Sequence, residues 1–223
     1  TTEIYTLSLH DALPISRFRA RISSIEPNLI SDRIISLAAG SEYICPHFHI
    51  PLQSGSDHIL RIMKRRYNTR RFIDRIEKIK AAIPDCGLGI DVITGFPGEL
   101  DIHFMETYSL LQSLPVSYLH VFTYSERKNT PAAGYPGKIP ESAKKERTHA
   151  LKELSERKRE EFYRGQLGKT KTAVPEKFSP RKQAWSGWTE NYVKVGITGN
   201  LDGKSAVAVK LMELDGDRAM ASI

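Results

Sequence analysis

A glycine-rich turn after an apolar strand is the first feature of this sequence suited to ligand chemistry. The apolar run 87–93, which includes Asp91, leads into Gly95, Phe96, Pro97, Gly98 and Glu99. Glycines let backbone N–H groups approach a ligand closely, and the helix that follows offers unpaired donors. The lysine of a Walker A loop and the three-glycine spacing of a dinucleotide fingerprint are absent. The pattern predicts either a ligand-binding turn at the carboxyl end of a strand or a plain tight turn.

Polar side chains lie at the ends of two other predicted strands. His47 and His49 are two residues apart, so they face the same side of a strand that leads into Gln53. That spacing suits a metal ion, but no third ligand lies near in the sequence, and we assign no metal ligand. Ser24 and Glu26 share a face at the end of the first strand, where a carboxylate suits hydroxyl or amine recognition. A solvated glutamate is the alternative.

Two groups of basic residues suit contacts to phosphate. The first lies within residues 64–71 and includes Arg65 and Arg66. The second begins at residue 164, after which aromatic residues alternate with lysines: Lys182, Trp185, Trp188, Tyr192 and Lys194. Small β-barrels with such faces bind nucleic acid by stacking and phosphate contact. The alternatives are a solvated charged face and core packing of Trp188 or Tyr192.

Strands alternate with helices over the first two thirds of the sequence. Apolar periodicity predicts strands at 19–25, 47–52, 87–93 and 118–122, and helices at 29–38, 57–63, 69–83 and 102–111. Such alternation favours parallel βαβ units and hence an α/β layer or barrel. A charged helix over 142–164 then leads into short alternating runs from residue 169 onward, which are typical of a small all-β module. We therefore predict a partial α/β domain over 16–164 and a β-barrel over 165–223.

Composition excludes several classes of protein. The chain has 223 residues, a formal net charge of +7 and a pI near 9.4, which suits a polyanionic partner. No run of about 18 apolar residues occurs, so we expect no membrane-spanning helix. The two cysteines, Cys45 and Cys86, are too few for a disulfide framework or a structural zinc site, which favours a cytoplasmic protein. Neither a Ser-His-Asp order nor a pair of carboxylates supports nucleophilic catalysis.

The first fifteen residues, TTEIYTLSLHDALPI, resemble one reading frame of a sequencing adapter. They lack the basic start of a secretory signal, and His10 and Asp11 break the apolar stretch. We expect residues 1–15 to be non-native and the native protein to begin further upstream. Without Glu3 and Asp11 the remaining chain carries +9.

Five motifs resemble the radical S-adenosylmethionine methylthiotransferases. They are RISSIEPN (21–28), HFHIPLQSGSD (47–57), IMKRRY (62–67), GIDVITGFPGE (89–99) and YLHVFTYSERKNTPAA (118–133). Their order and spacing agree over nearly all of residues 17–223. The last motif most resembles the branch that modifies N6-threonylcarbamoyladenosine in tRNA. The module after residue 164 resembles the RNA-binding TRAM domain of these enzymes.

The resemblance implies a fold and a chemistry. The fold is the carboxyl-terminal part of a radical S-adenosylmethionine (β/α) barrel, followed by an OB-like TRAM domain. A 4Fe–4S cluster reduces S-adenosylmethionine to a 5′-deoxyadenosyl radical, a methylthio group is installed on carbon 2 of an adenosine beside the anticodon, and a second 4Fe–4S cluster takes part in sulfur delivery. The cofactors carry the hard chemistry, while the protein orients them. The implied partners are tRNA, S-adenosylmethionine and a reducing electron donor, without a membrane.

The resemblance also assigns residues. Ser24 and Glu26 are expected at the ribose or methionine part of S-adenosylmethionine, residues 95–99 at its adenine, and Gln53 with Arg65 along the cavity. The set expected at the cofactor is Ser24, Glu26, Gln53, Asp91, Gly95, Phe96, Pro97, Gly98 and Glu99. The set expected at RNA is Arg65, Arg66, Lys182, Trp185, Trp188, Tyr192 and Lys194. No residue is assigned to catalysis or to a metal.

The sequence departs from the family pattern at the cysteines. The motif Cys-x-x-x-Cys-x-x-Cys is absent, and Cys45 and Cys86 are 41 residues apart. We therefore expect this chain by itself to form no cluster and to be inactive, although the intact gene product is an enzyme. Two alternatives stay open. One is a non-enzymatic RNA-binding protein, and the other is a methylthiotransferase that acts on isopentenyladenosine in tRNA or on a ribosomal protein.

Overall fold

The computed structural model describes residues 19–128, 130–199, 201 and 206–223, so that residues 1–15 lie outside the described range. The chain forms two parts, a four-stranded parallel sheet with helices and a closed five-stranded barrel. None of the helices in the described part of the chain has the length and the apolar character that a membrane span requires.

The first part is built from βα units. Its strands are β1 (Ala20–Ile22), β2 (Ile44–Gln53), β3 (Gly87–Thr94) and β4 (Tyr118–Thr123). Its helices are α1 (Asp32–Gly40), α2 (Asp57–Ile62), α3 (Thr69–Ala82), α4 (Asp101–Ser113) and α5 (Glu141–Arg164), with a 3-10 turn at Pro131–Gly134. The sheet order is β1-β2-β3-β4 and every neighbouring pair is parallel, as the alternation of strands and helices predicts.

Alternation along the strands divides this sheet into two faces. Phe48, Ile50, Leu88 and Ile90 are fully buried in a core that also contains apolar residues of α1, α3 and α4. The intervening side chains of the strands lie on the opposite face, which we call the open face. Full burial of an apolar side chain of this size stabilises by about 1.5 to 3 kcal/mol. Hydrophobic burial therefore selects which residues the open face presents.

Two strands differ from the sequence prediction. β1 ends at Ile22 rather than at residue 25, and Ser24 adopts a left-handed φ of 51° that does not continue a strand. Ser24 and Glu26 therefore lie in the loop after the strand, not on the strand as predicted. β2 begins earlier than predicted, at Ile44, and its pairing with β3 shifts register between Pro51 and Gln53.

Helix α5 is the long charged helix that the sequence predicts over 142–164. Leu151 and Leu154 join the core of the first part, and the Ser155 hydroxyl bonds to both backbone groups of Leu119 in β4. Near the carboxyl end of the helix, Tyr163 joins the core of the barrel instead. One helix therefore contributes to both cores.

The second part is a barrel that closes in the order β5-β6-β7-β9-β8. Its strands are β5 (Thr170–Ser179), β6 (Ala184–Thr189), β7 (Lys194–Thr198), β8 (Val207–Asp215) and β9 (Arg218–Ser222). Val195, Ile197, Val209 and Leu211 are buried in its core. Closure satisfies the backbone groups that an open sheet leaves at its edges. The all-β module predicted from residue 169 is therefore a closed barrel.

A polar joint around Asp85 connects the two parts. The Asp85 carboxylate accepts hydrogen bonds from Lys169 Nζ at 2.6 Å and from Lys171 Nζ at 2.8 Å. The Asp85 backbone carbonyl accepts a third hydrogen bond from Asn191 Nδ2. Burial opposes ionisation of Asp85, but the two lysines outweigh it and lower the pKa of the carboxyl to about 2.

Asp85→Asn is predicted to destabilise the protein at pH 7 and to reduce its loss of stability in acid. The pKa of Asp85 is lower in the folded chain than its usual 3.8, so its contribution is present above about pH 4 and lost as the pH falls toward 2. Because this side chain is about one-third exposed, we expect about 1 to 2 kcal/mol. Urea unfolding from pH 7 to pH 3 measures the effect. Glu153→Gln, in an exposed pair on α5, is the control, and equal pH slopes for D85N and the parent chain would contradict the prediction.

Candidate cofactor and nucleic-acid site

The open face of the parallel sheet presents a group of polar and aromatic side chains: His47 and His49 from β2, Asp91 from β3, and Tyr118 and His120 from β4. Tyr118 lies across Gly89, since a Cβ at Gly89 would lie 2.4 Å from the Tyr118 hydroxyl oxygen. The sequence motifs point to His47, His49 and Asp91 but not to the two residues of β4. Only the strand register brings all five together.

His49, Asp91 and His120 form a compact cluster on this face. His49 Nε2 lies 2.5 Å from Asp91 Oδ1, and the ring centroids of His49 and His120 are 4.9 Å apart. One ring nitrogen or carboxylate oxygen from each residue lies within 4.8 Å of the other two. Burial, and then the neighbouring His49, lower the pKa of His120. No third ligand is evident near the two histidines in the sequence, because Asp91 and His120 come from two later strands.

A second cluster joins the open face to the barrel. His47 Nε2 is 2.8 Å from the Tyr118 hydroxyl oxygen, and the His47 ring centroid is 4.7 Å from that of Tyr192. Trp188 stacks on Tyr192 at 4.4 Å, and the Arg21 guanidinium lies 4.6 Å from the Tyr192 centroid. Burial lowers the pKa of His47 to about 3, so this imidazole is neutral at pH 7. Trp188 and Tyr192, which were expected at RNA, thus lie where the barrel meets the sheet.

The loops near the carboxyl ends of β1 and β2 combine backbone strain with an unpaired donor. Ser24, Gln53 and Lys64 have φ values of 51°, 68° and 56°, a region that non-glycine residues rarely adopt outside functional sites and turns. Arg65 Nη1 donates to Glu26 Oε1 at 3.1 Å. Arg65 Nε is buried and has no hydrogen-bond partner among the described residues. A buried free donor beside a carboxylate suits a polar ligand that offers both acceptors and hydroxyls.

The glycine-rich turn after β3 is fixed by hydrogen bonds that involve helix α5. The Gly95 N–H donates to Glu99 Oε2 at 2.7 Å, and the same oxygen accepts from Arg147 Nη1 at 2.8 Å. Because Glu99 is only 1% exposed, its carboxylate holds the turn rather than facing solvent. Gly95 has a φ of 73°, and a Cβ there would lie 2.3 Å from Lys144 Cγ. Glycine is therefore required at this position for both conformation and space.

A cavity of about 440 Å³ lies at the carboxyl ends of β3 and β4, close to this turn. Its lining includes Ile93, Phe122, Tyr124 and Arg127. The buried Phe96 of the turn contacts Tyr124 edge-on at 5.2 Å between centroids, and Pro97 and Gly98 complete the turn. The Tyr124 hydroxyl is buried without a hydrogen-bond partner in the described part of the chain. Aromatic walls with an unpaired hydroxyl suit a flat heterocyclic ligand.

The cysteines do not suit an iron–sulfur cluster. Cys45 on β2 and Cys86 just before β3 are buried thiols. Burial raises the pKa of both, that of Cys86 to about 12. An iron–sulfur cluster is held by several thiolates, four in most proteins, and the chain has only these two cysteines. The residues of this chain therefore do not fit such a cluster.

The other residues expected at RNA lie on separate surfaces. Arg66 is exposed and follows Arg65 in the loop after α2. Lys182 is exposed in the turn between β5 and β6, and Trp185 packs against Phe178 at 5.3 Å between centroids. Lys194 forms an ion pair with Asp217. Of the residues expected at RNA, Trp188, Tyr192 and Lys194 line one cavity of about 250 Å³ where the barrel meets the sheet, whereas Arg66, Lys182 and Trp185 lie outside it.

Gly95→Ala is predicted to destabilise the protein by about 1 to 3 kcal/mol, because alanine is strained at this positive φ and its Cβ meets the Lys144 side chain. Chemical unfolding of the purified chain measures the change. Gly134→Ala is the matched control, since Gly134 has open space around its Cβ position and no positive φ. A G95A variant as stable as G134A would show that the turn is not held as described.

Comparison with known proteins identifies similar sequences. A model of the radical SAM superfamily matches residues 4–111. The threonylcarbamoyladenosine tRNA methylthiotransferase of Bacillus subtilis (strain 168) is 40% identical over 200 residues, which are 87% of this chain and 44% of the relative. Its counterpart from Thermotoga maritima is 36% identical over 200 residues, 89% of this chain and 46% of the relative.

A second group of relatives carries a different name. The tRNA-2-methylthio-N(6)-dimethylallyladenosine synthase of Mycobacterium sp. (strain MCS) is 40% identical over 152 residues, 68% of this chain and 29% of the relative. The chain thus spans less than half the length of each of these three relatives. The motifs, the parallel sheet and the identities over most of the chain lead to one conclusion: the chain belongs to the radical SAM tRNA methylthiotransferase family and groups with its threonylcarbamoyladenosine branch.

Proposed function

We propose that this chain is the part of a tRNA methylthiotransferase that receives S-adenosylmethionine at the carboxyl ends of its parallel strands and holds tRNA with its barrel. The buried, unpaired Arg65 Nε beside the Glu26 carboxylate carries the proposal. It is a polar recognition site at the edge of a parallel sheet where α/β folds bind ligands. The names of the relatives supply the reaction class, transfer of a methylthio group to a modified adenosine.

In this proposal the cofactor spans two of the described features. Glu26, with Ser24 and Gln53 beside it, binds the ribose or methionine part, and Arg65 Nε donates to an acceptor of the same ligand. The adenine lies against residues 95–98, next to the aromatic cavity, while Glu99 keeps the turn in place from behind. Asp91 is bonded to His49 through one oxygen, so a cofactor contact by Asp91 uses the other oxygen.

The reaction class of the relatives would need S-adenosylmethionine and an iron–sulfur cluster, which together would supply the radical that activates the adenosine. The two cysteines of this chain do not fit a cluster, so its own residues bind and orient but do not start the radical step. Clusters and a reducing electron donor must therefore come from outside the 223 residues. On this basis the chain alone is inactive, and its natural setting is the cytoplasm, where tRNA is modified.

The proposed substrate is N6-threonylcarbamoyladenosine next to the tRNA anticodon, since relatives that carry this name cover 87% and 89% of the chain. Dimethylallyladenosine is the second candidate, because synthases for that base are 40% identical over 68% of the chain. The barrel, which we propose to be a TRAM domain over residues 165–223, contributes Lys182 and the neighbouring basic surface to the RNA backbone. Arg66 provides a second contact near the cofactor site.

Arg65→Lys is predicted to weaken S-adenosylmethionine binding by about tenfold. Lysine keeps the charge next to Glu26 but lacks the Nε donor, and a hydrogen bond to a charged group is worth about 1.5 to 3 kcal/mol. Isothermal titration of the purified chain with S-adenosylmethionine measures the dissociation constant. Arg61→Lys, an exposed arginine one turn earlier on α2, is the matched control. Equal dissociation constants for R65K and R61K would show that Arg65 does not bind S-adenosylmethionine.

Arg66→Glu and Lys182→Glu are each predicted to weaken tRNA binding and to lower its salt dependence. Each lost phosphate contact reduces the slope of log K against log salt by about 0.7 to 0.9. Filter binding with tRNA at several salt concentrations measures the slope, and tRNA with and without the threonylcarbamoyl group tests the choice of base. Lys145→Glu, an exposed charge reversal on α5, is the control. A parent chain that binds tRNA no better than K182E and R66E would contradict the RNA-binding proposal.

A further inference from the structure

We propose that His49, Asp91 and His120 form a binding site for a divalent transition-metal ion on the open face of the sheet. Their side chains come from three adjacent parallel strands, β2, β3 and β4, and lie on the same face. Three potential ligand atoms, two imidazole nitrogens and one carboxylate oxygen, lie within 4.8 Å of one another. The inference rests on this geometry and does not depend on the proposed function.

The distances match a site that closes around an ion. Ligand atoms bound to zinc lie about 2.0 to 2.2 Å from the metal, and tetrahedral geometry then places neighbouring ligand atoms about 3.3 to 3.6 Å from each other. His49 Nε2 and Asp91 Oδ1 are 2.5 Å apart in a hydrogen bond whose proton a metal ion replaces, and they separate by about 1 Å on binding. The His120 side chain moves toward the ion from the β4 side of Asp91. All three side chains are partly exposed, so these adjustments displace no packed core residue.

His120 is the residue that an ordinary ion pair does not explain. His49 and Asp91 are bonded to each other, and the exposed imidazole of His120 lies beside them with one ring nitrogen within 4.8 Å of their ligand atoms. Its ring contacts are with His49 at 4.9 Å and with Tyr118 edge-on at 5.2 Å. A metal ion bound to His49 and Asp91 is therefore within reach of this nitrogen as its third ligand.

The ligand set determines the class of ion. Imidazole suits Zn²⁺, Fe²⁺, Co²⁺ and Ni²⁺, whereas Mg²⁺ and Ca²⁺ prefer shells made of oxygen. Two histidines and one carboxylate leave at least one coordination position open, which is the pattern of a reactive rather than a structural site. His47 does not belong to this cluster of ligand atoms; its Nε2 is bonded to the Tyr118 hydroxyl and its ring packs against Tyr192.

The test is a titration of the intact 223-residue chain with Co²⁺, followed by its visible absorption bands, and with Zn²⁺ by calorimetry. We expect one ion per chain, and a dissociation constant that rises at least about tenfold in His120→Ala and in Asp91→Asn. His49→Asn provides a second ligand variant. Circular dichroism and urea unfolding identify any variant that fails to fold, so that a loss of binding is interpreted only in folded protein.

Two controls separate this site from other metal-binding groups. His149→Ala removes an exposed histidine on α5 and is expected to leave the dissociation constant unchanged. His58→Ala removes one member of a stacked imidazole pair, His58 and His103, whose centroids are 4.6 Å apart. Binding that is lost in H58A but retained in folded H120A and H49N overturns the proposal. Absence of Co²⁺ and Zn²⁺ binding overturns it as well and leaves the cluster as a polar wall of the open face.

Discussion

The parallel register of β2, β3 and β4 is the constraint on which the whole candidate site depends. Phe48, Ile50, Leu88 and Ile90 are fully buried on one face, and their alternation places His49, Asp91 and His120 on the other. A slip of one residue would exchange the two faces of a strand. The hydrophobic core therefore does more than stabilise the sheet, because it also decides which polar side chains meet. The open face is a product of core packing.

The barrel is placed against that face by polar and aromatic contacts rather than by a shared apolar core. Asp85 bonds to two lysines and to Asn191, and the backbone carbonyl of Asn191 lies only 2.2 Å from the position that a Cβ at Gly87 would occupy. Glycine at the start of β3 is thus what lets the barrel come so close. The Tyr192 ring lies against the ring of His47, and Trp188 stacks on Tyr192. Trp188 and Tyr192, which the sequence pattern suggests as RNA-binding residues, thus contribute to the contact between the two parts.

Local signals in the sequence predict the elements well and the site in part. The periodic apolar residues predict α3 and α5, and the turn residues predict the loop at Gly95, since helices and turns depend on neighbours in the chain. The predicted end of β1 was wrong, because the left-handed conformation of Ser24 has no strong sequence signal. The cluster around His120 was missed because its partners come from other strands and only the register brings them within reach. The structural role of Glu99, which fixes the glycine-rich turn, could not be predicted either, because its partner Arg147 lies on a helix far away in the sequence.

Helix α5 has a mechanical consequence. It is 24 residues long, about 36 Å at 1.5 Å per residue, and it is anchored at both ends. Arg147 near its start bonds to Glu99 behind the glycine-rich turn, and Tyr163 near its end is buried in the barrel core, where its hydroxyl accepts a hydrogen bond from the Lys194 N–H. Because α5 is a continuous helix with contacts near both ends, a tilt of one end also moves the other. A displacement of the barrel on contact with a bulky macromolecule is therefore transmitted through helix α5 to the turn after β3.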